Sequence, residues 1–317
     1  MAFKMTRDEL PDLFTCLEFC LSVQKNLLYF YEQESQEANE IDIERRVNAL
    51  KSTIEHNFSE SAVVCRVTKQ ILPIEPGNSD QLEIHIIPKI DSLDRDQQNL
   101  LVKNMNGNPH RIYIGMIAWK SISHNNVARD LDTRDTLSSS VKLRDWLKHR
   151  FWLSFSERPE PIPPSPMQSK SQVENYLSID GHVTCKPAIR RYILDIMVHL
   201  RMHRMLDITK GGGVHTGSLE DVVQLAKLLS YKKYNKNFVI PEHVKLACQW
   251  YFPSHLELVR DSSMDVSVLY GSKPEMVDGF LDKIAQLKLA QSSMAHNPLF
   301  LEALIVRDVL KRVVPPA

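Results

Sequence analysis

The chain has 317 residues, enough for two domains that each bury a core of their own. Lysine plus arginine balance aspartate plus glutamate at 39 each, so no global basic excess exists to neutralise nucleic-acid phosphates. At 43% hydrophobic and 25% charged the composition is that of an ordinary globular protein, and no apolar run approaches the ~18 residues that span a bilayer.

The opening stretch MAFKMTRDELPDLF lacks the apolar centre of a secretory signal, so an intracellular location, cytoplasmic or nuclear, is expected. The five cysteines, Cys16, Cys20, Cys65, Cys185 and Cys248, contain no CxxC pair and are expected to be reduced thiols. DLFTCLEFCLSVQKNLLYFYEQE places Leu13, Leu17, Leu21, Leu27, Leu28 and Tyr31 on a broad stripe, which predicts one helix. A second helix follows in IDIERRVNALKSTIEHNF, with Ile43, Val47, Leu50 and Ile54 at helical spacing. AVVCRVTKQILPI, LEIHIIP and RIYIGMIAW read as strands, and RDQQNLLVKNM between the last two reads as a helix. This alternation predicts an α/β fold with parallel neighbours in its sheet, closed by VKLRDWLKHRFWLSF.

ERPEPIPPSP and MQSKSQ interrupt regular structure, because proline lacks a backbone N–H and fixes φ. The predicted division is residues 1–156, a Pro/Ser-rich linker at 157–180, and a helical region at 181–317. In that region KPAIRRYILDIMVHLRMHRML offers Ile189, Ile193, Ile196, Val198 and Leu200 as an apolar face. GSLEDVVQLAKLLSYKK opens with Ser218 three residues before Asp221, a capping arrangement, and VIPEHVKLACQWYF carries Pro241 where a first turn accepts it. PEMVDGFLDKIAQLKLA and NPLFLEALIVRDVLKRVV complete the helices.

The chemistry-bearing motifs are mostly conspicuous by absence. A phosphate loop of the form GxxxxGK[ST] needs bare backbone amides around the phosphates and a lysine that reaches them. The chain has ten glycines, only Gly77 precedes residue 107, and no Gly-Lys pair occurs. GGVHTGSL imitates the spacing from Gly212 to Gly217 and Ser218 but lacks the lysine and reads as a helix connection. His199 and His203 stand at zinc-ligand spacing, yet Leu200 takes the place of the general-base glutamate, so a solvated or hydrogen-bonded pair is expected and no metal. No GxSxG and no motif-like cysteine–histidine arrangement supports nucleophilic hydrolysis. Arg190, Arg191, Arg201 and Arg204, with His203, form a candidate basic or partner-binding face interrupted by Asp195 and Asp207.

The strand in IHIIPKIDSLDRDQQNLLVKNM, with Gln98, Leu100, Leu101, Val102 and Met105 on the helix after it, resembles an AAA+ module of the MoxR and magnesium-chelatase type. That resemblance implies Asp-Glu after the strand, where Pro88 and Lys89 stand: neither organises Mg²⁺ or polarises the attacking water, and Lys89 repels the metal. The strand resembling the one that delivers a polar sensor ends in Ile117, Ala118 and Trp119, and the sensor arginine of the lid would fall near Ser218. WLKHRF resembles the family's LDRF stretch and places Arg150 as an arginine-finger remnant; VIPEHVKLA resembles the lid signature. The implied fold is a degenerate AAA+-like core sheet flanked by helices, followed by an all-α lid-like domain, with no cofactor and no catalytic residue.

A second resemblance spans nearly the whole chain. AIRRYILDIMVHLRMHR, GGVHTGSLEDVVQLAKLL, WYFPSHLELVRDSSMDVSVLYGS, NPLFLEALIVRDVLKRVVPPA, LPDLFTCLEF and WLKHRFW are similar to the fungal maintenance of telomere capping protein 2 family. This resemblance implies a part in telomere capping without an established biochemical activity. Two main readings stay open: a non-catalytic interaction protein on an AAA+-like scaffold, or an ATPase-ring subunit whose Arg150 completes a neighbour's site. Protein partners, among them another AAA+ subunit, are expected; direct DNA binding through the Arg190–Arg204 face is not, given the zero net charge.

Overall fold

The computed structural model describes residues 10–33, 40–58, 63–72, 82–108, 110–119, 137, 141–157 and 175–316. The chain divides into two compact units, Pro11–Lys120 with Val141–Tyr176, and Leu177–Ala317.

In the first unit α1 (Leu13–Val23) is capped by Asp12, whose carboxylate accepts from the backbone N–H and hydroxyl of Thr15 at 2.7 and 2.8 Å. The helix stops at Gln24, which adopts the left-handed conformation (φ 58°, ψ 47°). The N–H groups of Gln24 and Lys25 donate to the carbonyls of Leu21 and Cys20, satisfying two of the helix's orphan acceptors. The chain then enters β1 (Asn26–Glu32). One helix from Leu13 to Tyr31 is therefore incorrect. Leu27 to Tyr31 is an unbroken apolar run with three aromatics, every residue of it buried, and that pattern suits a central strand covered on both faces.

Four more strands follow: β2 (Val64–Val67), β3 (Glu83–Ile87), β4 (Arg111–Trp119) and β5 (Phe151–Ser156). They form a five-stranded sheet in the order β2-β3-β4-β1-β5, all pairs parallel, with Leu27 opposite Ile114 and Leu153. The parallel α/β sheet read from the alternation of elements is present, and β1 and β5 enlarge it beyond the three strands predicted. Asn26 stitches three elements at the amino end of the sheet. Its Oδ1 accepts from Tyr113 N at 2.8 Å, and its Nδ2 donates to the Arg150 carbonyl at 2.9 Å.

Helices α2 (Glu40–Asn57), α3 (Arg95–Gly107) and the single turn α4 (Asp145–Lys148) connect the strands. Ile43, Val47, Leu50 and Ile54 of α2 are all buried, as their spacing predicts. Arg46 on the same helix pairs with Asp42 and Glu157 and lies over the Tyr31 ring. All five cysteines are free thiols, and only Cys185 is not buried.

The second unit is built of helices α5 (Tyr176–His182), α6 (Pro187–Arg201), α7 (Ser218–Leu228), α8 (Pro241–Tyr251), α9 (Val266–Leu269), α10 (Pro274–Ala295) and α11 (Phe300–Arg312). Of the linker segment 157–180, residues 158–174 lie outside the described residues; α5 starts at Tyr176, inside it, and buries Ile179. On α6, Ile189, Ile193, Ile196 and Leu200 are buried but Val198 is exposed, because two apolar positions two residues apart cannot share one helix face. Pro241 opens α8 as predicted. Ser218 is no cap. It is the first residue of α7, behind Gly217, and its buried hydroxyl lies 3.2 Å from Tyr251 Oη.

Candidate functional site

In open parallel sheets, ligands bind outside the carboxyl ends of the strands. There, β3 ends at Ile87 and the chain turns through Pro88 and Lys89 into a short 3-10 segment, Ile90–Ser92. Ile90 is fully buried over Gly115 of β4, where an added Cβ would meet the Ile90 side chain at 2.7 Å. That contact fixes the turn and leaves Lys89 exposed. Asp94 caps α3 by accepting from Gln97 N at 2.8 Å. Gln98 is buried, donating to the Leu93 carbonyl at 2.9 Å and accepting from Arg144 N at 3.2 Å. The glutamine that resembled a family signature thus ties the turn to the segment entering α4.

Beside Pro88 and Lys89 lies a cavity of about 540 Å³ between α2 and the ends of β2 and β3. Its lining mixes apolar side chains, Ile43 and Val47 from α2 with Val67, Ile87, Pro88 and Leu93, and the polar Asn48, Ser92 and Gln97. Its rim is charged, with Glu40, Glu44, Lys69 and Lys89. Glu44 and Lys69 form an exposed pair at 2.7 Å, a contact of little energetic weight in water. No lining residue comes from β1 or β4. The volume falls in the range of small-ligand or side-chain pockets. Asp91, the acidic residue nearest the turn, has its carboxyl pushed up by burial, which opposes the ionised form a Mg²⁺ ligand needs. The sequence at 33–39, between β1 and α2, reads QESQEAN, without the glycines and lysine of a phosphate loop.

The amino-terminal half of β3 holds a buried charge cluster that sequence reading missed, although alternating polar residues in EIHII were its signal. Glu83 accepts from Arg111 Nε at 2.6 Å and lies 3.2 Å from Arg66 and 3.3 Å from His85 Nε2. His85 Nδ1 lies 3.0 Å from the Thr68 hydroxyl, and its ring packs on Tyr113. Burial alone would raise the Glu83 carboxyl, but hydrogen bonds from Arg111 and His85 and the two guanidinium charges outweigh it and hold it below the usual range. Burial pushes His85 below its ordinary value and wins over Glu83. As pH falls through 6.5, the unfolded chain therefore takes up a proton that folded His85 refuses, and below 4.5 another that Glu83 refuses. Both stabilising contributions are present above those values and are lost in acid. Urea midpoints should fall as pH drops through 6.5, and the fall should be reduced in His85→Asn. The reduction is partial because His203 and His243, also pushed down by burial, act with the same sign.

Arg150 stands directly before β5, at the amino end of the sheet, and its side chain is exposed. Pro88 and Lys89 stand at the carboxyl end. With all strands parallel, the two sites are separated by a strand length, about 20 Å. Sensor-position residues Ile117, Ala118 and Trp119 end β4, and the Trp119 carbonyl accepts from Gln33 N at 2.9 Å.

In the helical unit the candidate basic residues are engaged separately. Arg190 pairs with Glu220, Arg201 Nε donates to the Val214 carbonyl at 3.1 Å, and Arg204 lies 3.7 Å from Asp265 and over the Phe280 ring. Arg191 is exposed. His199 and His203 also go different ways: His199 Nδ1 contacts the Asp195 carbonyl at 2.8 Å, whereas His203 lies past the end of α6, 3.4 Å from Asp308. The GGVHTGSL segment contributes to a polar network around Tyr251, whose buried hydroxyl donates to Asp221 at 2.9 Å and meets His215 Nε2 at 2.9 Å. It joins the start of α7 to the end of α8.

Comparison with known proteins places these features in a lineage. The sequence model described as maintenance of telomere capping protein 2, N-terminal domain, matches residues 11–156. A Zygosaccharomyces rouxii protein named maintenance of telomere capping protein 2 is 44% identical, over 98% of this chain and all of its own. Proteins of the same name from Saccharomyces cerevisiae strain S288c and Vanderwaltozyma polyspora are 36% and 32% identical, each over 97% of this chain and 98% of its own. A crystal structure of a candidate ATPase from Cytophaga hutchinsonii aligns at a TM-score of 0.47 and 9% identity, covering 85% of this chain and 87% of that one, too distant to support an inference.

Proposed function

The chain belongs to the maintenance of telomere capping protein 2 family, and we propose that it serves telomere capping as a non-catalytic interaction protein on an AAA+-like scaffold. In this reading the helical unit derives from a lid, the nucleotide chemistry is gone, and the sheet-end cavity takes an apolar side chain from a protein partner inside the cell, in the nucleus. The observation that carries the reading is the exchange at the end of β3. Pro88 and Lys89 stand where a metal-binding acid and a water-polarising acid would be required, beside a cavity lined by apolar and uncharged polar side chains with charged residues among them. The shared name of the relatives supplies the telomere role.

The expected result is that the purified protein neither binds nor hydrolyses ATP. Partners cross-linked to the tagged protein in its own cells should be lost when Val67→Asp places a charge in the exposed part of the cavity lining, with the fold intact by circular dichroism. ATP turnover by the pure protein, or an unchanged partner set in Val67→Asp, would refute the proposal.

A second reading is a subunit of an ATPase ring that lends Arg150 to a neighbour. Its support is the exposed position of Arg150 at the opposite end of the sheet from the cavity beside Pro88 and Lys89. Recovery of an AAA+ partner whose ATPase rate falls with Arg150→Ala would favour it; an unchanged rate would dismiss it.

A further inference from the structure

The segment after α7 concentrates features that the scaffold reading leaves unused. α7 continues into a π-helical turn, Leu229–Lys233, a widened form that recurs at functional sites. The following residues complete the run YKKYNKNF, positions 231–238, which holds three lysines and three aromatics and no acid. Positions 233–238 are all exposed, Tyr234 at 41% and Phe238 at 51%.

This loop is built, not slack. The buried Ser230 hydroxyl donates to the Phe238 carbonyl at 2.6 Å and lies 3.0 Å from that of Lys236, and Lys236 N donates to the Ser230 carbonyl at 2.8 Å. Thr184 N donates to the Asn237 carbonyl at 2.9 Å and Val239 N to the Thr184 carbonyl at 3.0 Å, so both flanks are held. Asn235 adopts a left-handed turn (φ 49°), a conformation asparagine tolerates. The Tyr234 ring lies flat on His243, 4.6 Å between centroids and 16° between planes, which fixes its orientation. Lys233 Nζ stands 6.0 Å from the Tyr234 centroid and 5.5 Å from that of Trp250, and Lys236 Nζ stands 5.9 Å from that of Phe238. These separations reach the outer limit of the cation–π attraction, so the ammonium groups are readily drawn to a stronger anion.

We infer that Tyr231–Phe238 is a contact site for single-stranded nucleic acid: Lys233 and Lys236 meet backbone phosphates, and Tyr234 and Phe238 offer stacking surfaces to adjacent bases. Alternating cations and exposed aromatic rings are the two components of sequence-tolerant single-strand binding. An acidic peptide would use the lysines but gain nothing from the rings. The neutral balance of the whole chain opposes the broad basic face that duplex binding needs, whereas a short single-strand contact needs only a few phosphates.

The test is fluorescence anisotropy of a labelled oligothymidylate of about 15 nucleotides, titrated with the whole chain at low and at physiological salt. Wild type should bind at low salt and weaken as salt rises. Lys233→Gln with Lys236→Gln should flatten the log–log salt slope by about 1.4, two phosphate contacts at ~0.7 each. Tyr234→Ala and Phe238→Ala should each weaken binding about tenfold and leave the slope unchanged. These side chains are exposed, and circular dichroism would verify folding of each variant. The inference is overturned by no binding at low salt, by binding unaltered in these variants, or by a duplex of equal length or labelled polyglutamate binding as tightly.

Discussion

Gly213→Ala should destabilise the helical unit by about 2–5 kcal/mol, a left-handed-backbone cost of ~1–2 kcal/mol plus overpacking of ~1–3 kcal/mol. Gly213 has φ +82°, and an added Cβ would fall 2.1 Å from the His255 carbonyl oxygen and 2.9 Å from Glu257 N. Both obstacles are backbone atoms, and both are held. Glu257 N donates to the Gly212 carbonyl at 3.1 Å, and the Glu257 carbonyl accepts from Asp207 N at 2.8 Å. No rotamer change relieves the overlap. Gly211 is the control, since φ is also positive there (+59°) but nothing lies within 4 Å of an added Cβ. Gly211→Ala should cost only the backbone part, ~1–2 kcal/mol. Equal urea midpoints for the two variants would show that the close approach to His255 has no energetic consequence.

Lys288→Ala should cost about 3–5 kcal/mol, because it strands a buried carboxylate. Lys288 on α10 donates to Glu302 on α11 at 2.7 Å, and the two residues are 4% and 1% exposed. The second Glu302 oxygen, Oε2, is buried without a hydrogen-bond partner among the described residues, so the pair is incompletely solvated by protein. Replacing both members, Lys288→Met with Glu302→Leu, should restore most of the stability, since hydrocarbon of similar volume avoids the desolvation penalty. A double-mutant cycle in urea reads this directly. Additive losses, with the double variant weaker than either single one, would contradict the argument.

Where a pattern reported one structural cause, the sequence was sufficient to read it. Ile43, Val47, Leu50 and Ile54 repeat at helical spacing and form the buried side of α2. The region from Leu13 to Tyr31 superposed two causes. A helix and a fully buried strand are both dense in apolar residues, and the break between them is a left-handed Gln24, a residue with no turn signature. Ser218 illustrates a different loss: capping spacing was present, but a tertiary contact with Tyr251 moved the helix start. At the candidate site, Pro88 and Lys89 after the strand were visible in one dimension. The cavity was not, because its walls come from α2 and from turns some forty residues further along the chain. The Glu83–His85–Arg111 cluster likewise depends on strand register, which sequence spacing does not supply.

The sheet order has a consequence for biosynthesis. β1 lies between β4 and β5, so its two edges wait for residues 111–119 and 151–156. From the end of β1 at residue 32 to the end of β5 at residue 156, the ribosome adds 124 residues. At ~5–20 residues per second that takes roughly 6–25 s, during which Leu27–Tyr31, a strand-forming stretch without charge or proline, lacks at least one of its two native edges. The nascent chain is thus a natural client for a holding chaperone until β5 emerges, and slowing translation between α2 and β5 should lower the yield of soluble protein more than slowing it after β5.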